Sequence, residues 1–491
     1  MPTRSQPRRA ARAPAPAHAA HVAHVAARVL RFVTPLLAAL LCACAAAPPP
    51  APLAPAATLA EFSARRLEAA VPGPAAAASD WDLAQWLAAA LQLNPRLAEE
   101  RAKVLAAAAA ERTAAQLPNP TMELFADYLK SAATSGAWLY GVSLDFLLGQ
   151  PGERSRARRR AALESALAES DLSETLWQVR ATLRLALLDA AAAHDEQALL
   201  ATLVGERASL LEGDRRRLTL GDIARPQLLG DELELQHARQ RLQQSQARSA
   251  DARVRLAAAV GVPAAALGEA PLRWDAWAAI AALSATTPER WRTAALIGRP
   301  QIVQALRAYD LAELALRSEA ARRWPQLHVT PAYAWGGDGL REPALTSISQ
   351  ESAVGVSFEL PLFNQHQGEI GEALARRAVA GEHLKAVQAG IFAEIERAET
   401  AWPAARQAWA DNASLAALAE RQQQSEQRAL AAGAGDRSEA LAAQIALTEV
   451  QLAVLQAAYN AQLAFGSLED AYRRPLQGEE GVWPPPSAPS S

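Results

Sequence analysis

Near the start of the chain, His18, His21 and His24 recur every third residue. On a helix that spacing puts imidazoles on one side, where they would serve as metal ligands. All three precede a stretch laid out as a secretory signal and would be removed with it. His328 and His366 stand far from each other and from both cysteines, so a solvated imidazole is the expected state of each. No thiolate or methionine cluster follows the signal, no Gly-rich phosphate loop stands out, and no Gly-x-Ser-x-Gly elbow occurs. The carboxylates lie mostly on helical stretches near arginines, where surface pairing is their ordinary role. No catalytic residue, cofactor or metal site is therefore expected, and the chain reads as a non-enzyme. A formal net charge of -3 gives no reason to expect nucleic acid as a partner.

The two cysteines carry one covalent possibility. Cys42 and Cys44 follow an arginine-bearing stretch (Arg8, Arg9, Arg12, Arg28, Arg31) and a short apolar run from Phe32 to Leu41. Leu41-Cys42-Ala43-Cys44 resembles a bacterial lipoprotein signal with Cys44 as the acylated residue, although Cys42 is unusual two positions before it. The alternative is an ordinary signal with incidental cysteines; in either case the processed chain has no disulfide framework. Residues 1–43 thus read as signal peptide and 44–58 as a lipid-anchored Ala/Pro linker, extended from Ala45 to Ala57. Residues 477–491, rich in proline, read as a disordered tail.

Between these ends lies a duplication, 59–270 and 271–476. Pro95 recurs as Pro300 and Pro120 as Pro325, each 205 positions on (300 − 95, 325 − 120). Gly141-Val142-Ser143-Leu144-Asp145-Phe146 recurs as Gly355-Val356-Ser357-Phe358-Glu359-Leu360. Gly152-Glu153 matches Gly368-Glu369, Gly221-Asp222 matches Gly435-Asp436, and Pro263 matches Pro475. Chance matches would not keep order and nearly constant offset.

Each half predicts helix, strand, strand, very long helix, tight turn, long helix. The first helix is expected over about Asp82 to Gln116, ended by Pro118 and Pro120. Met122, Leu124, Ala126 and Tyr128 alternate with polar residues, with Phe125 the exception, and Trp138 to Phe146 alternate likewise. Leu327 to Trp335 and Val354 to Leu360 repeat the pattern. Period two means strand, and segments of this kind suit an outer-membrane barrel wall. Four strands cannot close a barrel, and lipid does not tolerate open edges, so several protomers must contribute; three would give twelve strands. A soluble sheet would also alternate, but no short apolar helix is left over to cover it.

From Gly152 to Leu220 there is no proline, and Leu172, Leu176, Val179, Leu183 and Ala186 step by four and three as in a coiled coil. The return helix is expected to reach Val260. In the second half the long helix runs from about Gly368 to Ala432 with a kink at Pro403, and its return reaches Tyr472. No run of 18 apolar residues occurs in this body, so no transmembrane helix is expected there.

This plan, with Pro361-Leu362-Phe363-Asn364-Gln365-His366-Gln367-Gly368-Glu369-Ile370, resembles the TolC-type outer-membrane factor family, closest in pattern to its heavy-metal resistance–nodulation–division (RND) branch. The fold class is mostly α with a small β part. The resemblance implies a homotrimer: a twelve-stranded β-barrel in outer-membrane lipid, continued by a periplasmic α-helical barrel. The implied partners are a periplasmic adaptor and an inner-membrane RND-type pump, and the implied function is passive export of small solutes, heavy-metal cations or drugs among them. A polypeptide secretion channel shares the fold, and a soluble periplasmic coiled-coil scaffold is the more distant alternative. Many members carry gate aspartates shortly after the second turn; aligned on Gly435, those positions hold Leu441 and Gln444. The gate candidates are instead Asp436, Arg437 and Glu439, with Asp436 alternatively a helix cap. Adaptor contacts are expected at Gly221, Asp222, Arg225 and Gly435.

Overall fold

The computed structural model describes residues 52–67, 81–131, 134–268, 274–283, 289–336 and 350–476. The signal segment, Cys44 and the tail lie outside these. The chain divides into two units, Met1–Glu61 and Phe62–Ser491. Helix α1, Pro55–Ser63, starts in the first and ends in the second. It begins three residues inside the stretch read as extended linker; Pro55 suits a first helical turn, where its missing N–H is not needed.

The body shows the duplication element by element. The first half comprises α2 (Leu83–Leu93), α3 (Pro95–Ala114), β1 (Thr121–Ser131), β2 (Thr134–Gly149), α4 (Glu153–Leu220) and α5 (Arg225–Val260). The second repeats it with α6 (Glu289–Gly298), α7 (Pro300–Ala321), β3 (Leu327–Gly336), β4 (Gln350–Phe358), α8 (Gln367–Ala431) and α9 (Arg437–Tyr472). The long helices have 68 and 65 residues and their returns 36 each. At about 1.5 Å per residue, α4 is on the order of 100 Å long. Pro403 lies inside α8, which continues through it.

Two expectations are corrected. The helix expected over Asp82 to Gln116 is two helices, broken at Asn94. Asn94 is extended (φ -69, ψ 120), its Oδ1 accepts from the Arg96 N–H at 2.9 Å, and its Nδ2 donates to the Ala259 carbonyl at 2.8 Å. Pro95 forbids the hydrogen bond that would carry α2 onward. Arg299 breaks the second half at the same place, extended before Pro300. The registration of the two halves also moves. The cap before α4 is Gly152 and that before α8 is His366, both left-handed, so Gly152 corresponds to His366 and not to Gly368. The left-handed turn residues are Gly221 and Gly433, so Gly221 corresponds to Gly433 and not to Gly435. Helix α9 meets the length and mean hydropathy of a membrane span, a test that a packed helix also meets, so the expectation of no membrane-crossing helix in the body is not overturned by it. It packs along α8 and α4.

Helix α4 is the spine, packed against α3, α5, α7 and α9. The heptad reading holds: Val179, Leu183 and Ala186 are buried, with Leu172 and Leu176 packed against the same cluster as Trp86, Leu87, Leu97 and Leu256. A second cluster centres on Ile391, Ile395, Trp402 and Phe465, and a third, farther along the hairpins, on Leu200, Leu203, Ala238, Ile445 and Leu452. A buried polar seam joins the halves. Arg180 Nη1 donates to Glu469 Oε2 at 3.1 Å, Arg184 Nη2 donates to the Gln462 carbonyl at 3.0 Å, and Arg473 Nη2 donates to Glu174 Oε1 at 2.7 Å.

Candidate functional site

The strands form one antiparallel sheet in the order β1-β2-β3-β4, so β2 pairs with β3 across the whole first helical hairpin. The register settles which residues share a face. Leu124 lies opposite Val142, Val142 opposite Tyr333, Phe146 opposite Val329, and Val329 opposite Val356. This face, among the described residues, carries no charged side chain; Leu124 (62%), Val356 (59%) and Val354 (72%) are exposed, and Val142 and Val329 are half-buried. The other face holds Glu123, Asp127, Asp145, His328 and Glu351. Phe125, the break in the apolar alternation, stands on this polar face over Gly141, where a Cβ would come within 2.2 Å of its ring. Asp145 Oδ2 pairs with His328 Nδ1 at 2.9 Å, and its Oδ1 accepts from Thr330 Oγ1 at 3.1 Å. His328 is thus held by a carboxylate on the charged face, and no cluster of metal-ligating groups occurs among the described residues.

A charge-free exposed face backed by a charged one is the pattern of a barrel wall between lipid and water. Aromatic rings mark both ends of the apolar face. Tyr140 stacks with Trp335 at 6.4 Å between centroids at the end away from the helices, and Phe146 and Phe358 lie toward the helices. From Leu327 to Trp335 the strand covers about 26 Å at roughly 3.3 Å per residue, close to the height of an outer-membrane apolar band, about 25 Å. The outer strands β1 and β4 each have one unpaired edge within this sheet.

At the far end of the helices lie the two turns. Gly221 is left-handed (φ 83), and the Asp222 N–H donates to the Arg217 carbonyl at 2.9 Å. Gly433 is left-handed (φ 72), and the Ala434 N–H donates to the Ala429 carbonyl at 2.9 Å. At Gly435 an added Cβ would stand 2.9 Å from the Leu430 nitrogen, so the turn needs a glycine there for closeness. Asp436 caps α9, accepting from the Ser438 N–H at 3.2 Å and from Ser438 Oγ at 2.6 Å. These hydrogen bonds, and then the charge of Arg217, hold its carboxyl below the ordinary range. Arg217 belongs to the last turn of α4, so the two hairpin turns are neighbours. Arg437 and Glu439 are exposed in the first turn of α9 and form no ion pair among the described residues, whereas Leu441 and Gln444 are half-buried. Asp222 and Arg225 are exposed beside the first turn.

Sequence reasoning missed three carboxylates behind this rim. Glu206 and Asp214 on α4 are buried, and Asp231 on α5 faces Asp214. Burial pushes the Glu206 carboxyl up, although Thr448 and Gln444 hydrogen-bond it; burial and then the Asp214 carboxylate push Asp231 up. The available signal was a charged residue in the buried series Leu200, Leu203, Leu211, Asp214.

Residues 291–472 match the family model for outer membrane efflux protein. No curated protein matches. Among solved structures, the outer-membrane channel OprN is similar at TM-score 0.64 and 17% identity, covering 81% of this chain and 91% of its own. The outer membrane protein VceC from Vibrio cholerae gives 0.62 and 18%, covering 80% and 97%. The Campylobacter jejuni CmeC outer membrane channel gives 0.63 and 14%, covering 79% and 85%. The chain therefore carries the fold of the outer-membrane efflux channels, and its second half bears the signature of the outer membrane efflux protein family.

Proposed function

We propose that this chain is the outer-membrane channel of a tripartite efflux system. Three copies close one barrel of twelve strands in the outer membrane, and their helical hairpins extend into the periplasm as a tunnel. The observation that carries this reading is the four-stranded sheet with two open edges, one face charge-free and exposed, the other charged. Open edges in lipid leave backbone groups unsatisfied at several kcal/mol each by order of magnitude, so the sheet must be completed by other copies. The channel is a passive conduit: the pump and adaptor supply the work, and small solutes, heavy-metal cations or drugs among them, pass along the charged face. Its partners are two further copies of itself, a periplasmic adaptor, an inner-membrane RND-type pump and outer-membrane lipid. Cys44 carries the lipid anchor, and Cys44→Ala abolishes acyl labelling.

Asp436, Arg437 and Glu439 form the periplasmic constriction, and Gly221, Asp222, Arg225 and Gly435 receive the adaptor. Support comes from their shared rim and from the exposure of Arg437 and Glu439. Native mass measurement in mild detergent tests the assembly. A trimer that conducts in planar bilayers is expected; a monodisperse monomer overturns shared closure.

A further inference from the structure

Where strands give way to helices, the chain concentrates two kinds of side chain. Leu148, Trp324, Leu327, Phe358, Leu360, Leu362 and Phe363 are all exposed there, Trp324 at 67% and Phe363 at 102%. Leu327 and Phe358 are the last pair of β3 and β4, and the others lie in the segments that lead from the strands to the helices. Immediately beside them is a run of positive charge. Helix α4 opens Glu-Arg-Ser-Arg-Ala-Arg-Arg-Arg from Glu153, five guanidiniums in eight residues of a chain whose net charge is -3. Arg322 and Arg323 follow α7 just before β3.

These crossings are tied at one level. Gln150 Nε2 donates to the Trp324 carbonyl at 3.0 Å, and Arg323 Nε donates to the Gln365 carbonyl at 3.3 Å. Arg160 and Arg322 have carboxylate partners, Glu164 and Glu319. Arg156 donates to the Pro151 carbonyl, and Arg154, Arg156, Arg159 and Arg323 form no ion pair among the described residues. Ala161 and Ser165 are the first buried residues of α4, and Arg156 and Arg159 lie on the side of the helix opposite Ala161. Long arginine side chains beside an apolar girdle lay their stems on apolar surface and send their charge to the interface.

We propose that this junction is a binding belt for anionic phospholipid headgroups in the periplasmic leaflet of the outer membrane, with Arg156, Arg159 and Arg323 as the phosphate-facing groups. The proposal rests on the channel reading, which sets the strand–helix junction at that leaflet. Each guanidinium near an anionic surface favours it by about fivefold in lipid preference, from roughly 1 kcal/mol per basic residue. Arg is suited to phosphate because its planar fork donates in pairs.

The test extracts the full-length trimer from outer membranes in polymer-bounded native nanodiscs and measures the ratio of phosphatidylglycerol to phosphatidylethanolamine against the bulk membrane. The wild-type shell is expected to be enriched several-fold in phosphatidylglycerol. Arg156→Gln/Arg159→Gln/Arg323→Gln should return the ratio to that of the bulk, and the corresponding lysine triple should keep most of the enrichment. No enrichment around the wild type, or full enrichment around the glutamine triple, overturns the belt. Equally, if the glutamine triple shifts the reversal potential in a salt gradient and leaves the lipid ratio unchanged, these guanidiniums line the pore and the proposal fails. Conductance of the wild type is read in parallel: its absence would count against the channel reading, while the lipid ratio reports on the belt.

Discussion

At the scale of single residues, the seam between the halves is built on one carboxylate. Glu469 accepts from Arg180, stands 3.5 Å from Arg184 Nε, and accepts the Leu476 N–H at 2.9 Å. Arg180 and Glu469 side chains are 2% and 3% exposed. A buried pair adds little net stability over an apolar pair, but removing one partner strands the other, at about 3–5 kcal/mol. Glu469→Ala should therefore lower the denaturation midpoint sharply, and Arg180→Met/Glu469→Leu should recover much of the loss; equal losses in both would show that the charge itself is not the problem. Gly466 belongs to the same unit, since a Cβ there would meet Arg184 Nη1 at 2.1 Å. None of this was legible in the sequence, because the partners lie almost 290 residues apart and ordinary Arg and Glu on helices read as surface pairs. The carboxylates Glu206 and Asp231 give a pH prediction. Both folded-state pKa values are raised. Their contribution to stability is full below the ordinary carboxylate range and is lost as pH rises through the raised values. Glu206→Gln and Asp231→Asn should thus stabilise the hairpins near neutral pH and flatten the stability profile above about pH 4. A variant that steepens it would contradict the assignment.

At the scale of elements, the sheet offers a paired comparison. Val356 lies on the charge-free face opposite Val329, and Ser357 lies on the charged face opposite His328. Arginine at Val356 should cost about 2–4 kcal/mol if placed near the bilayer midplane, and arginine at Ser357 far less. Trimer yield after heating in detergent reads the difference, and equal tolerance would argue against a barrel wall. The strands were legible because period-two alternation survives even with Phe125 out of step, and the structure explains that residue by the space over Gly141. The long helices were legible because proline and glycine mark where they stop. The break at Asn94 was carried through as one helix, although Asn94-Pro95 is a cap residue followed by a first-turn proline and so marks a helix start. The long-range partner could not be read: the carbonyl of Ala259, brought in by the returning α5, holds the Asn94 amide in place. The registration of the halves was misread for a related reason. Gly221 and Gly435 share a letter and a following aspartate, but the left-handed turn falls on Gly433.

At the scale of the whole molecule, the protomer leaves surfaces that make sense only in company. Along α8, Leu374, Val379, Leu415 and Leu418 are exposed, matching the unpaired edges of β1 and β4 as faces for neighbouring copies. The proposed trimer would be a passive tube, and a tube needs a closed resting state. The rim that carries Arg217 and Asp436 is where closure is expected, because both hairpins turn there, far from the sheet. Asp436 is already engaged in capping α9, which leaves Arg437 and Glu439, both exposed in the first turn of α9, as the groups free to reach a neighbouring copy. Around a threefold axis each forms a ring of like charge, and each ring would pair with the opposite charge of the next protomer. A single exposed pair contributes about 0–1 kcal/mol, but three pairs act together on one rim, and salt weakens them. Arg437→Ala should therefore raise single-channel conductance in planar bilayers and sensitise cells to large antibiotics, with the difference from wild type shrinking at high salt. Substitutions at Asp222 or Arg225 should leave conductance alone and reduce export through weaker adaptor docking. If Arg437→Ala changes neither conductance nor antibiotic entry while substitutions at Leu441 or Gln444 open the pore, the constriction lies farther along α9, at the level of Glu206, and the buried carboxylates there take over the part assigned to the rim.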